Sequence, residues 1–503
     1  MRTKKVFLNL LSEVLPQLII AVISFVRVKI FLTYIGDEIL GVYQLFGQVL
    51  AYLSLAELGL TDAAMYFLYK PLYEKKNKDI SALISGVKKS FNYVMMAMLV
   101  IGCALSFLVP HLIAENTLPN PFIITCFILT LLVNVLGYFS TTYTVLFNAD
   151  QNKYKYSFYT QGLLILRNIA DIVVIIFLKN LYAVLVVEIL FTLLQNLVMK
   201  VLYKKNYPNI SVKEKPNYVF WSKTKSLIPH KIGGLIAYNI DVILVSKILG
   251  LGHVVIYNAY YAITSVISNI IGKFSSSTLA SVGNLLVAEP KKAYNVFLEY
   301  NDMLFFIANI ICVPLAVFLT PFISLWYGAN YTVGNITMYL FIFNLLYGII
   351  RIILNVYSGA AALYKETLIC TYLEALINLV VSLVLILNGF GIAGLLAGTA
   401  SSMLISEFMI KPSILNKHIF KSSISKYYLD SLILFILIIV NIVIFKFIMN
   451  YFTISNLLIW FIYGIVIFIL NFGLTFVWFK LLGKDEFFKR ITVVFKRSWL
   501  DES

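Results

Sequence analysis

Three arginines stand where arginine is costly. Arg27, Arg167 and Arg351 each lie well inside a run of apolar residues. Charged side chains at such depth in a membrane segment face a cavity or a partner, because lipid offers neither water nor counter-charge. A guanidinium presents planar donors that grip carboxylate or phosphate oxygens in pairs. Other polar residues fall on the same helical faces at 100° per residue. Glu13, Gln17, Ser24 and Arg27 share one face. Gln161, Arg167, Asn168 and Asp171 share another. His230, Lys231, Tyr238 and Asp241 lie within a half-face. Tyr257, Tyr261, Thr264, Ser268 and Ser275 form a long stripe, with Asn258 and Lys273 to one side. Asn344, Tyr347, Arg351, Asn355 and Ser358 form another, and Glu374, Asn378 and Ser382 a last one.

Cations beside tyrosines and amides suit a phosphorylated glycan. The cation meets phosphate, the ring meets the apolar face of a sugar, and the amide meets its hydroxyls. The candidate phosphate- and sugar-binding residues are Arg27, Arg167, Arg351, Lys273, Tyr257, Tyr261 and Asn355. Glu57, Asp171, Asp241 and Glu374 are candidates for charge pairs or for coupling to a proton or sodium ion. Bland readings stand beside these. Arg167 and Asp171, spaced i,i+4, are placed to pair on their own helix. Serine and threonine back-bond helix carbonyls. Lys29, Lys231, Lys247 and Lys411 lie near enough to span ends to reach water.

The elements that must position these residues are membrane helices. Of 503 residues, 60% are hydrophobic and 13% charged, against about 25% charged in soluble domains. Mean hydropathy is +0.88. Apolar runs of about 20 residues recur, and their continuity excludes the alternation of a β-barrel. The fold class is therefore an all-α integral membrane protein of about fourteen spans. The net charge of +16 is topogenic rather than a nucleic-acid footprint. Outside the helices, Lys179 and Lys446 alone fall in one set of loops, and all other lysines and arginines fall in the opposite set and the tails. By the positive-inside rule both termini are cytoplasmic.

An internal repeat divides the chain. At an offset of 214 residues Val28 meets Val242, Gly36 meets Gly250, Tyr43 meets Tyr257, Gln44 meets Asn258 and Arg27 meets Asp241. Two lobes of six helices follow, residues 1–203 and 226–415, joined by the polar segment 204–225, with two further helices and a tail in 429–503. The second span is expected as one helix over 39–68, and the twelfth as one helix over 391–415. The N-terminal MRTKKVFLNLL has the charge of a signal peptide but no small-x-small cleavage site, and reads as helix 1. Cys103, Cys126, Cys312 and Cys370 have no metal-like spacing. No Gly-rich phosphate loop appears, the four histidines are scattered, and the outer loops are too short for a glycosyltransferase or polymerase site.

Phe25-Val26-Arg27, then Tyr34-Ile35-Gly36 with Leu40-Gly41-Val42-Tyr43, then Leu58-Gly59-Leu60-Thr61, carry a family resemblance. The sequence resembles the polysaccharide (Wzx-type) flippases, whose superfamily also contains the multidrug MATE exporters and the lipid II flippases. The resemblance covers the whole chain. It implies a non-enzymatic transporter in a bacterial inner membrane. The implied cargo is an undecaprenyl-pyrophosphate-linked oligosaccharide, moved from the cytoplasmic to the outer leaflet by alternating access. It implies no cofactor beyond an H+ or Na+ gradient, and membrane lipids, a polysaccharide polymerase and glycosyltransferases as partners, with no nucleic acid. The product would be capsule, exopolysaccharide, O-antigen or a teichoic-type polymer. Two other readings stay open: a multidrug exporter, whose cavity should be acidic and aromatic, and a membrane glycan transferase.

Overall fold

The computed structural model describes residues 2–57, 59–114, 117–222 and 240–488, and every regular element among them is helical. Two compact units divide the chain, Met1–Val255 and Ile256–Ser503. Eleven stretches among the described residues are long and apolar enough to cross a membrane. They do not map one to one onto the expected spans. The stretch Tyr364–Phe420 holds two expected helices, folded back on each other at Gly389. The expected seventh helix is described only over residues 240–249, here called α8.

In the first unit α1 (Arg2–Tyr34) lies along α6 (Tyr154–Leu178). Helix α7 (Leu181–Asn206) turns back along α6 and also packs on α5 (Asn120–Ala149). The α6–α7 turn is tight. Lys179 takes a left-handed φ of 49°, and the Asn180 side chain caps α7 by accepting from the Tyr182 amide at 2.8 Å.

The expected single helix over 39–68 is broken. Helix α2 (Asp37–Leu53) passes into a 3-10 turn, Ser54–Glu57, and a new helix α3 (Leu60–Tyr73) follows. Gly59 at φ +77° is the physical reason, since a residue in the left-handed region cannot continue a right-handed helix. Helix α4 (Asn77–Ser106) begins well before the expected span. Its early turns form a core with α3, α5 and α7 that includes Leu68, Ile84, Phe91, Phe147, Tyr203 and Phe220.

Phe220 belongs to the polar segment that follows α7. That segment is a strap laid on α4. Ser85 Oγ donates to the Glu214 carbonyl at 2.6 Å, Ser81 Oγ accepts from the Ser211 amide at 2.9 Å, and Trp221 Nε1 donates to Ser90 Oγ at 3.1 Å. The Asn217 amide donates to the Ala82 carbonyl.

In the second unit α10 (Ala293–Trp326) is the core helix. Of its 34 residues 18 are buried, against four of the 25 in α17 (Leu457–Leu481). Helices α11 (Asn335–Ile350), α16 (Ser425–Met449) and α17 pack around it. The burial pattern is inverted relative to a soluble protein. On α16, Asp430, Ser431 and Asn441 are buried while Ile436, Ile439, Val443 and Phe447 are exposed. A buried polar network ties the last two helices to α10. Asn441 Nδ2 and Thr475 Oγ1 each donate to Asn309 Oδ1 at 3.1 Å, and Asn471 Nδ2 donates to the Asn309 carbonyl at 3.1 Å. Without a hydrophobic drive between helices in lipid, such bonds are the available glue.

Helix α9 (Leu251–Ala288) carries the tyrosine stripe. The expected tenth span is α11 followed directly by α12 (Ile352–Ala360), with Arg351 at the joint. Helix α13 (Tyr364–Leu385) packs on α14 (Gly391–Ser402). The expected helix over 391–415 widens to a π-helix at Met403–Ile410 before its last turns, α15 (Lys411–Leu415).

Candidate functional site

Counting from helix ends locates the first charge group. Arg27 stands seven residues before the end of α1, and Tyr43 six after the start of α2. Asp171 stands seven before the end of α6, and Glu188 seven after the start of α7. Short turns join α1 to α2 and α6 to α7, so all four side chains fall at one level, about 10 Å from the turns at 1.5 Å per residue. Arg167 lies one helical turn from Asp171.

Arg27 Nη1 bonds Asp171 Oδ2 at 2.8 Å and comes within 3.6 Å of Glu188 Oε1. Arg167 Nη2 donates to Glu188 Oε1. Its Nε is 3.9 Å from Asp171 Oδ2, too long for a hydrogen bond. The Tyr43 hydroxyl donates to Glu188 Oε1 at 2.6 Å. Arg27 also lies 6.0 Å from the centre of the Tyr43 ring. The anticipated i,i+4 pair on α6 is therefore the weak contact, and the strong ones run between helices. The burial is asymmetric: the Asp171 and Glu188 side chains are 0% and 2% exposed, while Arg27 and Arg167 are 19% and 22% exposed. A small cleft opens beside Arg27, lined by that residue, Phe31, Leu40, Tyr43, Gln44 and Ile175 among others.

The second group belongs to the other unit. Arg351 Nη1 bonds Glu374 Oε1 at 2.7 Å. Lys411 Nζ bonds both oxygens of Glu407 at 3.0 Å and Asn355 Oδ1 at 2.5 Å. Lys411 is 6% exposed, which corrects its reading as a residue that reaches water at a helix end. The wide turn over Met403–Ile410 carries Glu407 into the protein, and its carboxylate keeps Lys411 there. On the same hairpin Asn378 Nδ2 donates to Thr399 Oγ1 at 3.1 Å, and Ser382 Oγ donates to the Leu395 carbonyl at 3.0 Å.

The remaining candidates are placed as follows. Tyr257 and Tyr261 stack at 5.6 Å, the first buried and the second exposed. Lys273 is half-buried on the same helix. Glu57 accepts from Thr61 Oγ1 at 2.5 Å in the break between α2 and α3. Asp241 is buried on α8. Lys247 is exposed and donates to the His111 carbonyl at 2.7 Å. His230, Lys231 and Tyr238, and the side chains of Glu13 and Ser275, lie outside the described residues.

Sequence reasoning missed Glu188, Glu407 and Tyr43 as members of these groups. Glu188 is the sole acid in α7 and shares no polar stripe with a neighbour. Its signal was the count from the turn, which matches that of Asp171. Among the described residues no group of histidine, cysteine or carboxylate side chains could hold a metal ion. What the first group offers is one arginine, Arg27, lining a cleft and a second, Arg167, partly exposed, with the carboxylates of both buried.

The family described as "Polysaccharide biosynthesis protein" matches residues 4–280. Among curated proteins none matches this sequence. Among solved structures the chain is similar to a lipid II flippase, MurJ, in an inward closed conformation. The TM-score is 0.68 at 15% identity, covering 93% of this chain and 98% of that one. It is also similar to an inward-facing multidrug resistance MATE family transporter of the MOP superfamily, with TM-score 0.60 at 13% identity over 80% and 96% of the two chains. A MATE in the bent conformation matches with TM-score 0.53 at 12% identity over 80% and 95%. At these identities the likeness is one of fold. The family match spans more than half the sequence, and the chain belongs to the polysaccharide biosynthesis protein family, on a fold shared with MOP-superfamily transporters.

Proposed function

We propose that this multi-pass membrane protein is a flippase for polyprenyl-pyrophosphate-linked oligosaccharide repeat units. It moves them from the cytoplasmic to the outer leaflet of a bacterial cytoplasmic membrane, with both of its own termini in the cytoplasm. The carrying observation is a pair of partly exposed arginine side chains within the helices, Arg27 and Arg167, the first of them lining a cleft. Arginine forks suit the oxygens of a diphosphate better than they suit a drug cation. The sealed position of Asp171 and Glu188 also leaves the cleft without the exposed acid that a cation exporter needs. The family match and the flippase fold agree with this reading. Cycling between inward-open and outward-open forms is the mechanism such a two-lobed fold allows, driven by a proton or sodium gradient.

The test is a chromosomal deletion, assayed for surface polymer and for drug tolerance. The proposal requires loss of surface polymer with unchanged drug tolerance. Intact polymer with altered tolerance would assign the protein to the multidrug class and overturn it.

A further inference from the structure

The first charge group is electrically balanced. Arg27 and Arg167 stand against Asp171 and Glu188, and every described contact of the two cations with a charged group goes to these carboxylates. The charged and titratable groups facing the carboxylates are Arg27 from α1, Tyr43 from α2 and Arg167 from α6. The helix packed behind α7 is α5, and it carries no charged residue.

Two buried atoms in this group lack hydrogen-bond partners. Arg167 Nε has no acceptor, and Asp171 Oδ1 has no donor. The first is a guanidinium N–H without an oxygen. The second is a carboxylate oxygen that can take a proton without giving up a bond. A diphosphate supplies the oxygen, but it also brings negative charge. If both carboxylates stayed ionised, two cations would face two carboxylates and a diphosphate in an apolar surrounding. Buried groups escape such an imbalance by neutralising.

We propose, resting on the flippase reading, that Asp171 and Glu188 are exchangeable counter-ions. They hand Arg27 and Arg167 over to the diphosphate of the cargo, and each carboxylate takes a proton from water as it lets go. No covalent bond to the cargo forms or breaks. The carboxylate oxygen gains the proton, and the guanidinium keeps its charge and changes acceptor. The asymmetric burial gives the order of events: the cargo meets the partly exposed arginine side chains first, and the buried acids take up their protons as the cations leave them. Tyr43 follows Glu188, because its hydroxyl donates to the same oxygen that Arg167 uses.

The sign follows from linkage. The cargo-bound form holds more protons than the free form, so binding strengthens as pH falls. Neutral amides at the two positions remove both the competition and the proton.

The experiment is calorimetry on the full chain in lipid nanodiscs, titrated with farnesyl pyrophosphate between about pH 6 and about pH 8, in buffers of different ionisation heat. Wild type should bind more tightly at the lower pH and take up about one to two protons per ligand. Glu188→Gln should bind about tenfold more tightly at the higher pH and take up about one proton fewer, and Asp171→Asn should behave alike. Thermal unfolding of each variant identifies one that has merely lost its fold, and the other variant then carries the test. Arg27→Ala and Arg167→Ala should lose binding. Unchanged binding in both arginine variants would sink the flippase site itself. Binding that needs the arginines but takes up no proton, takes up sodium instead, or weakens in Glu188→Gln would overturn the hand-over and leave the site standing.

Discussion

Arg27 and Arg167 reach their partners across helices, so removing either strands a sealed carboxylate. Unpairing a buried charge costs about 3–5 kcal/mol when nothing replaces the partner. Arg27→Ala and Arg167→Ala should abolish export, measured as surface polymer in a complemented deletion strain, while the protein still inserts in the membrane. Arg167→Lys should restore only part of the activity, because a point charge cannot serve two acceptors in a plane. Lys247→Ala should be nearly silent, since that side chain is exposed and bonds only a backbone carbonyl among the described contacts. Equal tolerance at Arg27, Arg167 and Lys247 would remove the special role given to the first two. The sequence displayed Arg27, Arg167 and Asp171 openly, because depth in an apolar run is visible in one dimension. It hid Glu188 and Glu407, because which helix faces which is not. Lys411 was legible in part: Glu407 stands four residues before it, a spacing that pairs on a helix. Nearness to the end of an apolar run hid that pairing.

Helices were legible where hydropathy sets them. Their interruptions were not. Leucines recur through Ser54–Thr61 on both sides of Glu57, so hydropathy alone does not place the break, and the left-handed Gly59 imposes it. The strap after α7 was visible as a polar gap, but its seat was not. Ser81, Ser85 and Gly86 of α4 receive the strap's backbone, and Ser90 receives the Trp221 side chain. Gly86 is the position that admits it. A Cβ there would stand 2.1 Å from the Asn217 carbonyl oxygen, and that atom is backbone and cannot swing aside. Gly86→Ala should therefore lift the strap while leaving the helices folded. Limited trypsin digestion of membrane vesicles should cut after Lys213 several-fold faster than in wild type. An unchanged cleavage rate would show that the strap is not held by this contact.

Among the described residues, each unit carries a balanced group of two cations and two carboxylates within its helices, and the second unit also holds Lys484 between Asp302 and Asp430. In the first unit the balanced group lies on α1, α2 and the α6–α7 hairpin. In the second it lies on α11 to α13 and on the stretch that continues α14. The family is that of polysaccharide biosynthesis proteins, and the fold is shared with a lipid II flippase and with multidrug transporters. A carrier of a lipid-linked glycan has a signature that no enzyme of the same pathway shares: when it stops, its cargo is intact and on the wrong side. Loss of a glycan polymerase would leave repeat units stranded on the outer leaflet instead. The most direct measurement is leaflet-resolved labelling of lipid-linked sugar in cells depleted of this protein or carrying Arg27→Ala. The account predicts repeat units accumulating on the cytoplasmic leaflet while surface polymer disappears, and accumulation on the outer leaflet would contradict it.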